Sequence, residues 1–149
     1  MKPYLRKHNN IVDLGIGVGG YYLGLDIKKI VGVDRDKILL RTARTVNPSI
    51  ETKFADVVNT GLSDKTYDLV VLSHILEHVP DYEPIIKEAK RICKEGGYFL
   101  IGLPVNHPHK KHYFPRWERE DVIGLALKFG NSPEISVNND SWLVYVRKT

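Results

Sequence analysis

Ile11-Val12-Asp13-Leu14-Gly15-Ile16-Gly17-Val18-Gly19-Gly20 reads as an apolar strand running into a glycine-rich turn. β-Branched residues suit the strand, and glycines let the backbone turn sharply and let a ligand approach where a Cβ would obstruct it. Alone, the stretch is ambiguous. Gly15, Gly17 and Gly20 also satisfy the dinucleotide pattern G-x-G-x-x-G, and a turn that simply needs glycine looks the same.

The acids around the loop separate these readings. Asp13 lies two residues before the first glycine, where a carboxylate repels an anionic pyrophosphate but can meet an ammonium, directly or through water. Asp34 closes the next apolar run, Ile30-Val31-Gly32-Val33, with Arg35 beside it. It lies about 20 residues beyond the loop, where an acid can accept both hydroxyls of a ribose. Asp56 follows Phe54-Ala55 and can accept from an exocyclic adenine amine while Val57 packs on the ring. Ligands of open α/β sheets bind outside the carboxyl ends of the strands. Three acids at three successive strand ends therefore line up as amino acid, ribose and adenine, the outline of S-adenosylmethionine.

Outward from the loop, strands are expected at Ile11–Leu14, Ile30–Val33, Thr52–Ala55, Asp68–Leu72, Tyr98–Leu103, Glu134–Val137 and Trp142–Val146. Several run apolar without alternating, as strands covered on both faces do. Helical spacing falls between them at Asp36–Thr45, at Pro84–Cys93 with proline in the first turn, and at Arg119–Lys128 with Gly130 to close it. The stretch from Gly20 to Ile30 has room for about two helical turns. Alternating strands and helices give an α/β fold with a mostly parallel sheet. Asn138-Asn139-Asp140 reads as a hairpin turn, which makes the last strand antiparallel.

In this order the pieces resemble a class I, Rossmann-like S-adenosylmethionine-dependent methyltransferase, nearest the ubiquinone/menaquinone-biosynthesis branch. The matching segments are Asp13-Leu14-Gly15-Ile16-Gly17-Val18-Gly19, Val31-Gly32-Val33-Asp34, Ala55-Asp56-Val57, Tyr67 through Val79, and Glu95-Gly96-Gly97-Tyr98-Phe99-Leu100. The resemblance implies a three-layer fold and a seven-stranded sheet in the order 3-2-1-4-5-7-6 with strand 7 reversed. It implies transfer of a methyl group to O, N or C of an acceptor. It places Gly15 and Gly17 at the methionine portion, Asp34 and Arg35 at the ribose, Asp56 and Val57 at the adenine, and Ser73 with His74 near the sulfonium. A non-catalytic S-adenosylmethionine-binding scaffold and an NAD-binding oxidoreductase are the alternatives; Asp13 and the segment after the fourth strand argue against the second.

His74-Ile75-Leu76-Glu77-His78 matches the H-x-x-E-H pattern of inverted zinc peptidases. Val79-Pro80 would stop such a helix at once, and no third ligand is evident, so no metal is expected. A better use is proton management: an acceptor oxygen or nitrogen can need to lose a proton, and histidine suits that near neutral pH. His74 and His78 are the candidates, with Glu77 as support. The proline-broken segment Pro104–Arg116 is the expected acceptor side, with His109, His112 or Tyr113 touching substrate.

The chain has 149 residues, room for one domain, and no repeat or linker divides it. Residues 1–149 are therefore read as a single domain with a minimal N-terminal cap. With 42% hydrophobic and 27% charged residues it belongs with globular rather than disordered chains. No apolar run approaches the roughly 20 residues of a membrane span. Met1–Asn10 lacks the apolar centre of a secretory signal, and Cys93 is the only cysteine, so a cytoplasmic location is expected.

Net charge of +4 is mildly basic and leaves RNA open as a partner without indicating it. No Asn/Asp-Pro-Pro-Tyr/Phe motif follows the fourth strand, and Ile92 rather than proline precedes Cys93, which reads as mid-helix. Nucleic-acid bases are thus not indicated as acceptors. Only ten residues precede the first strand, so the pocket is expected to be open. A bulky acceptor, the Pro104–Arg116 loop or a second subunit in a homodimer would close it; otherwise the acceptor is a small molecule.

Overall fold

The computed structural model describes residues 1–105, 113–114, 116–138 and 140–149. Its strands are β1 (Asn10–Leu14), β2 (Lys29–Asp34), β3 (Ile50–Phe54), β4 (Tyr67–Ser73), β5 (Cys93–Pro104), β6 (Glu134–Val137) and β7 (Ser141–Arg147). They form one seven-stranded sheet in the order β3-β2-β1-β4-β5-β7-β6. β1 to β5 pair parallel, and β7 runs antiparallel to both β5 and β6, as the hairpin signal required.

Alternate residues of the central strands point to opposite faces, and both faces are covered. Val12, Val70, Leu72, Phe99 and Ile101 pack under α3 (Glu83–Ile92) and α4 (Arg119–Leu127), against Ile85, Ala89, Val122 and Leu125. Ile11, Ile30, Leu69, Val71 and Leu100 pack on the other face against Leu40 and Ala43 of α2 (Lys37–Val46), Tyr22, and Leu5 of the one-turn α1 (Lys2–Leu5). α2 starts where Asp36 caps it, its Oδ1 accepting from the Ile38 and Leu39 amides at 2.8 and 3.2 Å. Among the described residues no helix is long and apolar enough to cross a membrane.

Two local expectations give way. The Gly20–Ile30 crossover contains no α-helix, only a single 3-10 turn at Gly20–Tyr22. Side chains from elsewhere hold its backbone instead: the Asn47 side-chain amide donates to the Tyr22 and Leu25 carbonyls at 2.9 and 3.1 Å, and Leu25 and Ile27 are buried. Cys93 is not mid-helix either. It ends α3 and opens β5, where it pairs with Tyr67. The pairing then slips, so that Leu69 faces Tyr98, and Gly96 at φ +68° lies within the bulge that absorbs the extra residues.

A charged cluster ties the loop after β3 to α3. The buried Glu88 carboxylate accepts from the Thr60 amide (2.8 Å) and hydroxyl (2.6 Å), and from Arg91 Nε and Nη2 (2.8 and 2.7 Å). Arg91 also donates to the Leu62 carbonyl at 2.8 Å and pairs with Asp64. Hydrogen bonds from Arg91 and Thr60 pull the Glu88 carboxyl down to about 2. A depressed acid stabilises the fold above its unfolded-state value of about 4.5 and loses that contribution as pH falls toward 2. Glu88→Gln is expected to cost about 2–3 kcal/mol at pH 7. In urea titrations from pH 7 to pH 2 the gap to the parent protein should close, because the parent alone loses this contribution.

Candidate functional site

The C-terminal ends of β1, β2, β3 and β4 open onto a cleft of about 480 Å³, within the roughly 300–1,000 Å³ typical of small-molecule sites. Gly15, Gly17, Asp34, Arg35, Asp56 and Val57 line it, together with His74 and His78. These eight residues, singled out from the sequence, come from four segments far apart in the chain.

The glycine loop shapes the floor. Gly15 and Ile16 both donate to the Val33 carbonyl, at 2.8 and 3.1 Å, which turns the chain across the end of β2. Gly15 has φ +78°, which strains any residue with a side chain, and a Cβ there would lie 2.4 Å from Ile75 Cδ1, so the Ile75 side chain packs directly on the loop backbone. Gly17 has φ +56° and open space around its Cβ direction. Its amide donates to Asp34 Oδ2 at 3.0 Å, and the Asp36 amide donates to Oδ1 at 3.0 Å. Two backbone donors thus fix the Asp34 carboxylate at the mouth of β2, and each oxygen keeps acceptor capacity. Asp56 Oδ1 accepts from the Val58 amide at 3.1 Å, a turn that sets Val57 and Val58 against the cleft.

Asp13 and Ser73 do not line the cleft. Asp13 is only 2% exposed; its Oδ2 accepts from the Tyr22 hydroxyl at 2.9 Å, and its Oδ1 has no partner among the described residues. Burial pushes its carboxyl up to about 7 against the Tyr22 hydrogen bond, and the Asp34 charge adds to the rise. The Ser73 hydroxyl is buried and has no partner among the described residues. Both residues sit at strand ends, as expected, but on the side turned into the protein.

The segment after β4 is not an α-helix. His74 has φ +52°, a left-handed conformation rare for a residue with a side chain, and Leu76–His78 forms a 3-10 turn. The two histidines therefore do not share a helix face as the zinc pattern would need. His74 Nδ1 instead lies 3.2 Å from Oε1 of Glu77, a carboxylate only 1% exposed, and His74 Nε2 lies 3.1 Å from Ser141 Oγ. Sequence reasoning missed Ser141, because it meets His74 only through the β5–β7 pairing, which sets Ser141 against Pro104. It also missed the apolar walls Leu39, Ile75, Val79 and Ile85. Ile75 and Val79 lie within or beside the segment after β4, whereas Leu39 and Ile85 come from α2 and α3 and reach the cleft only through packing.

Of the residues expected to touch the acceptor, Tyr113 is exposed, and its amide donates to the Glu77 carbonyl at 2.7 Å. His109 and His112 lie outside the described residues.

A methyltransferase-domain family model matches residues 12–101. Among curated proteins, a ubiquinone biosynthesis O-methyltransferase of Hydrogenovibrio crunogenus is 28% identical over 128 residues, 80% of this chain and 53% of its own length. A trans-aconitate 2-methyltransferase of Variovorax paradoxus is 29% identical over 110 residues, 71% of this chain and 42% of its own length. The chain thus spans about half or less of these relatives. Among solved structures, a Pyrococcus horikoshii protein superposes with a TM-score of 0.75 at 23% identity, covering 99% of this chain and 85% of that one. A Thermotoga maritima protein described as a possible histamine N-methyltransferase gives 0.76 at 20% identity, over 94% of this chain and 82% of that one.

Proposed function

This chain belongs to the methyltransferase-domain family whose model it matches over residues 12–101, and from that premise we propose that it binds S-adenosylmethionine in the cleft and transfers its methyl group to an O, N or C atom of an acceptor. The observation that carries this reading is the convergence of Gly17, Asp34, Asp56 and Val57 on one cleft at three successive strand ends. The residues fit the cofactor. Gly17 offers open space where a side chain would stand, and Asp34 presents a carboxylate already fixed by two amides. An adenine would meet Asp56 and the apolar walls of Val57 and Leu39. Asp13 Oδ1, buried and unpartnered among the described residues, is an acceptor in want of a donor behind the loop.

When bound, S-adenosylmethionine supplies an electrophilic methyl group on a sulfonium sulfur. The chain's own contribution is placement: in-line displacement gains most from holding two partners at reacting distance and excluding water. Asp34 and Arg35 would hold the ribose, Asp56 and Val57 the adenine, and Gly15 with Gly17 the methionine end. His74 and His78, at the edge of the cleft, are the candidates to take a proton from the acceptor. The ubiquinone-branch likeness found in the sequence has a counterpart in the Hydrogenovibrio relative. We take from it the reaction class and leave the acceptor to experiment.

Asp34→Ala would remove charged hydrogen bonds to the ribose and is expected to weaken binding of S-adenosylhomocysteine by about 1–3 kcal/mol, roughly fivefold to 150-fold. Isothermal calorimetry of the two proteins checks this, and equal affinities would remove Asp34 from the site.

A further inference from the structure

A second cavity of about 270 Å³ lies beside the cleft, lined by Tyr21, Gly102, Ser141, Trp142 and Leu143 among others. His74 lines both cavities. Its conformation is unusual: a non-glycine residue at φ +52° costs about 1–2 kcal/mol, and such strain persists only where the surroundings enforce it. Here the His74 amide donates to the Gly102 carbonyl at 3.0 Å, and the ring is held from both ends. Glu77 Oε1 stands 3.2 Å from Nδ1 and Ser141 Oγ stands 3.1 Å from Nε2. Glu77 is buried, and its other oxygen has no partner among the described residues. A carboxylate, an imidazole and a hydroxyl in hydrogen-bonded sequence are the parts of a proton-abstracting relay.

Resting on the methyltransferase reading, we propose that the second cavity is the acceptor subsite, that it takes a small hydroxyl or amine group, and that Ser141, His74 and Glu77 relay the proton this group loses. The buried Glu77 carboxylate fixes the neutral ring with its proton on Nδ1 and leaves Nε2 to accept from Ser141. As the new bond from acceptor oxygen or nitrogen to the methyl carbon forms, the sulfur–methyl bond breaks and its electron pair stays on sulfur. The acceptor proton passes to Ser141 Oγ while the Ser141 proton passes to His74 Nε2. The resulting imidazolium is stabilised by Glu77 and returns its proton to water through the open cleft. Ser141 touches the acceptor, whereas Glu77 is a positioning residue acting through His74. At about 270 Å³ the cavity lies below the usual span for drug-sized ligands, so it suits a small acceptor or a small group projecting from a larger one.

The ring tautomer can be read in the ligand-free protein by long-range nitrogen–proton NMR at alkaline pH. His74 is expected to carry its proton on Nδ1, against the preference of a free imidazole, and Ser141→Ala should leave it there. Glu77→Gln should shift the population toward Nε2. A parent ring protonated on Nε2 would overturn the relay. A second arm uses tritiated-methyl S-adenosylmethionine with the small-molecule fraction of a cell lysate. Ser141→Ala and Glu77→Gln should each lower labelling at least tenfold, with S-adenosylhomocysteine affinity within about twofold of the parent protein. Leu143→Trp, which fills the cavity without touching the relay, should do the same; undiminished labelling would show that the acceptor binds elsewhere. Failure of the parent protein to bind S-adenosylhomocysteine sinks the methyltransferase reading instead, and the tautomer measurement does not depend on it.

Discussion

Asp13→Asn is expected to flatten the pH dependence of stability between about pH 4 and pH 7. Asp13 is buried with one carboxylate oxygen unpartnered among the described residues, and its carboxyl is pushed up to about 7 from 3.8. The folded state therefore holds a proton that the unfolded chain has released. Stability is intact below pH 4, falls as pH rises through that window, and levels off above 7. Integrated over the window, the loss is about 4 kcal/mol. The asparagine variant has nothing to ionise, so it should overtake the parent protein as pH rises, with an amide oxygen still available to the Tyr22 hydroxyl. Urea unfolding of both proteins at pH 4, 6 and 8 checks this; parallel curves would mean that Asp13 is ionised at no cost. A cation brought near Oδ1 would offset the same cost.

The second large effect lies away from the cleft. A Cβ added at Gly130 would fall 1.8 Å from the Arg147 carbonyl oxygen, a contact with backbone that no rotamer change relieves. Gly130→Ala is therefore expected to lower stability by about 3 kcal/mol or more, or roughly 10 °C in melting temperature. Thermal denaturation followed by circular dichroism would show it, and a shift below 2 °C, on the order of 1 kcal/mol or less, would mean that the end of α4 moves freely off β7. The sequence places a glycine here as a helix terminator. In the fold the residue matters for close approach: α4 ends against the last strand, and only the absence of a side chain lets the two backbones meet.

The same contrast runs through the molecule. β1, β2 and their acids were legible because apolar runs ending in Asp or Gly are local signals, and parallel pairing followed from alternation with helices; the strand order came only from the family resemblance. The antiparallel β7 was legible from one turn, Asn138 to Asp140. What escaped depends on partners distant in the chain. Tyr22 is buried against Asp13, and the Asn47 side chain supplies hydrogen bonds that a helix would otherwise have made, so the crossover needs no α-helix. Glu77 was expected as support for the histidines, but the sequence did not show that it is almost fully buried beneath His74 and receives the Tyr113 amide on its carbonyl. Ser141 carries no motif at all; only the register of β7 on β5 brings it to His74. The residues lining the cleft sit in short segments with their own turn chemistry, whereas the His74–Ser141 contact is assembled by the sheet.

The most direct test is calorimetric titration of the protein with S-adenosylhomocysteine, with NAD titrated in parallel. Binding of S-adenosylhomocysteine at one site with micromolar affinity, and no heat from NAD, is the expected result. No binding of S-adenosylhomocysteine at millimolar concentration, or preferential binding of NAD, would contradict the assignment of the glycine-loop cleft to S-adenosylmethionine.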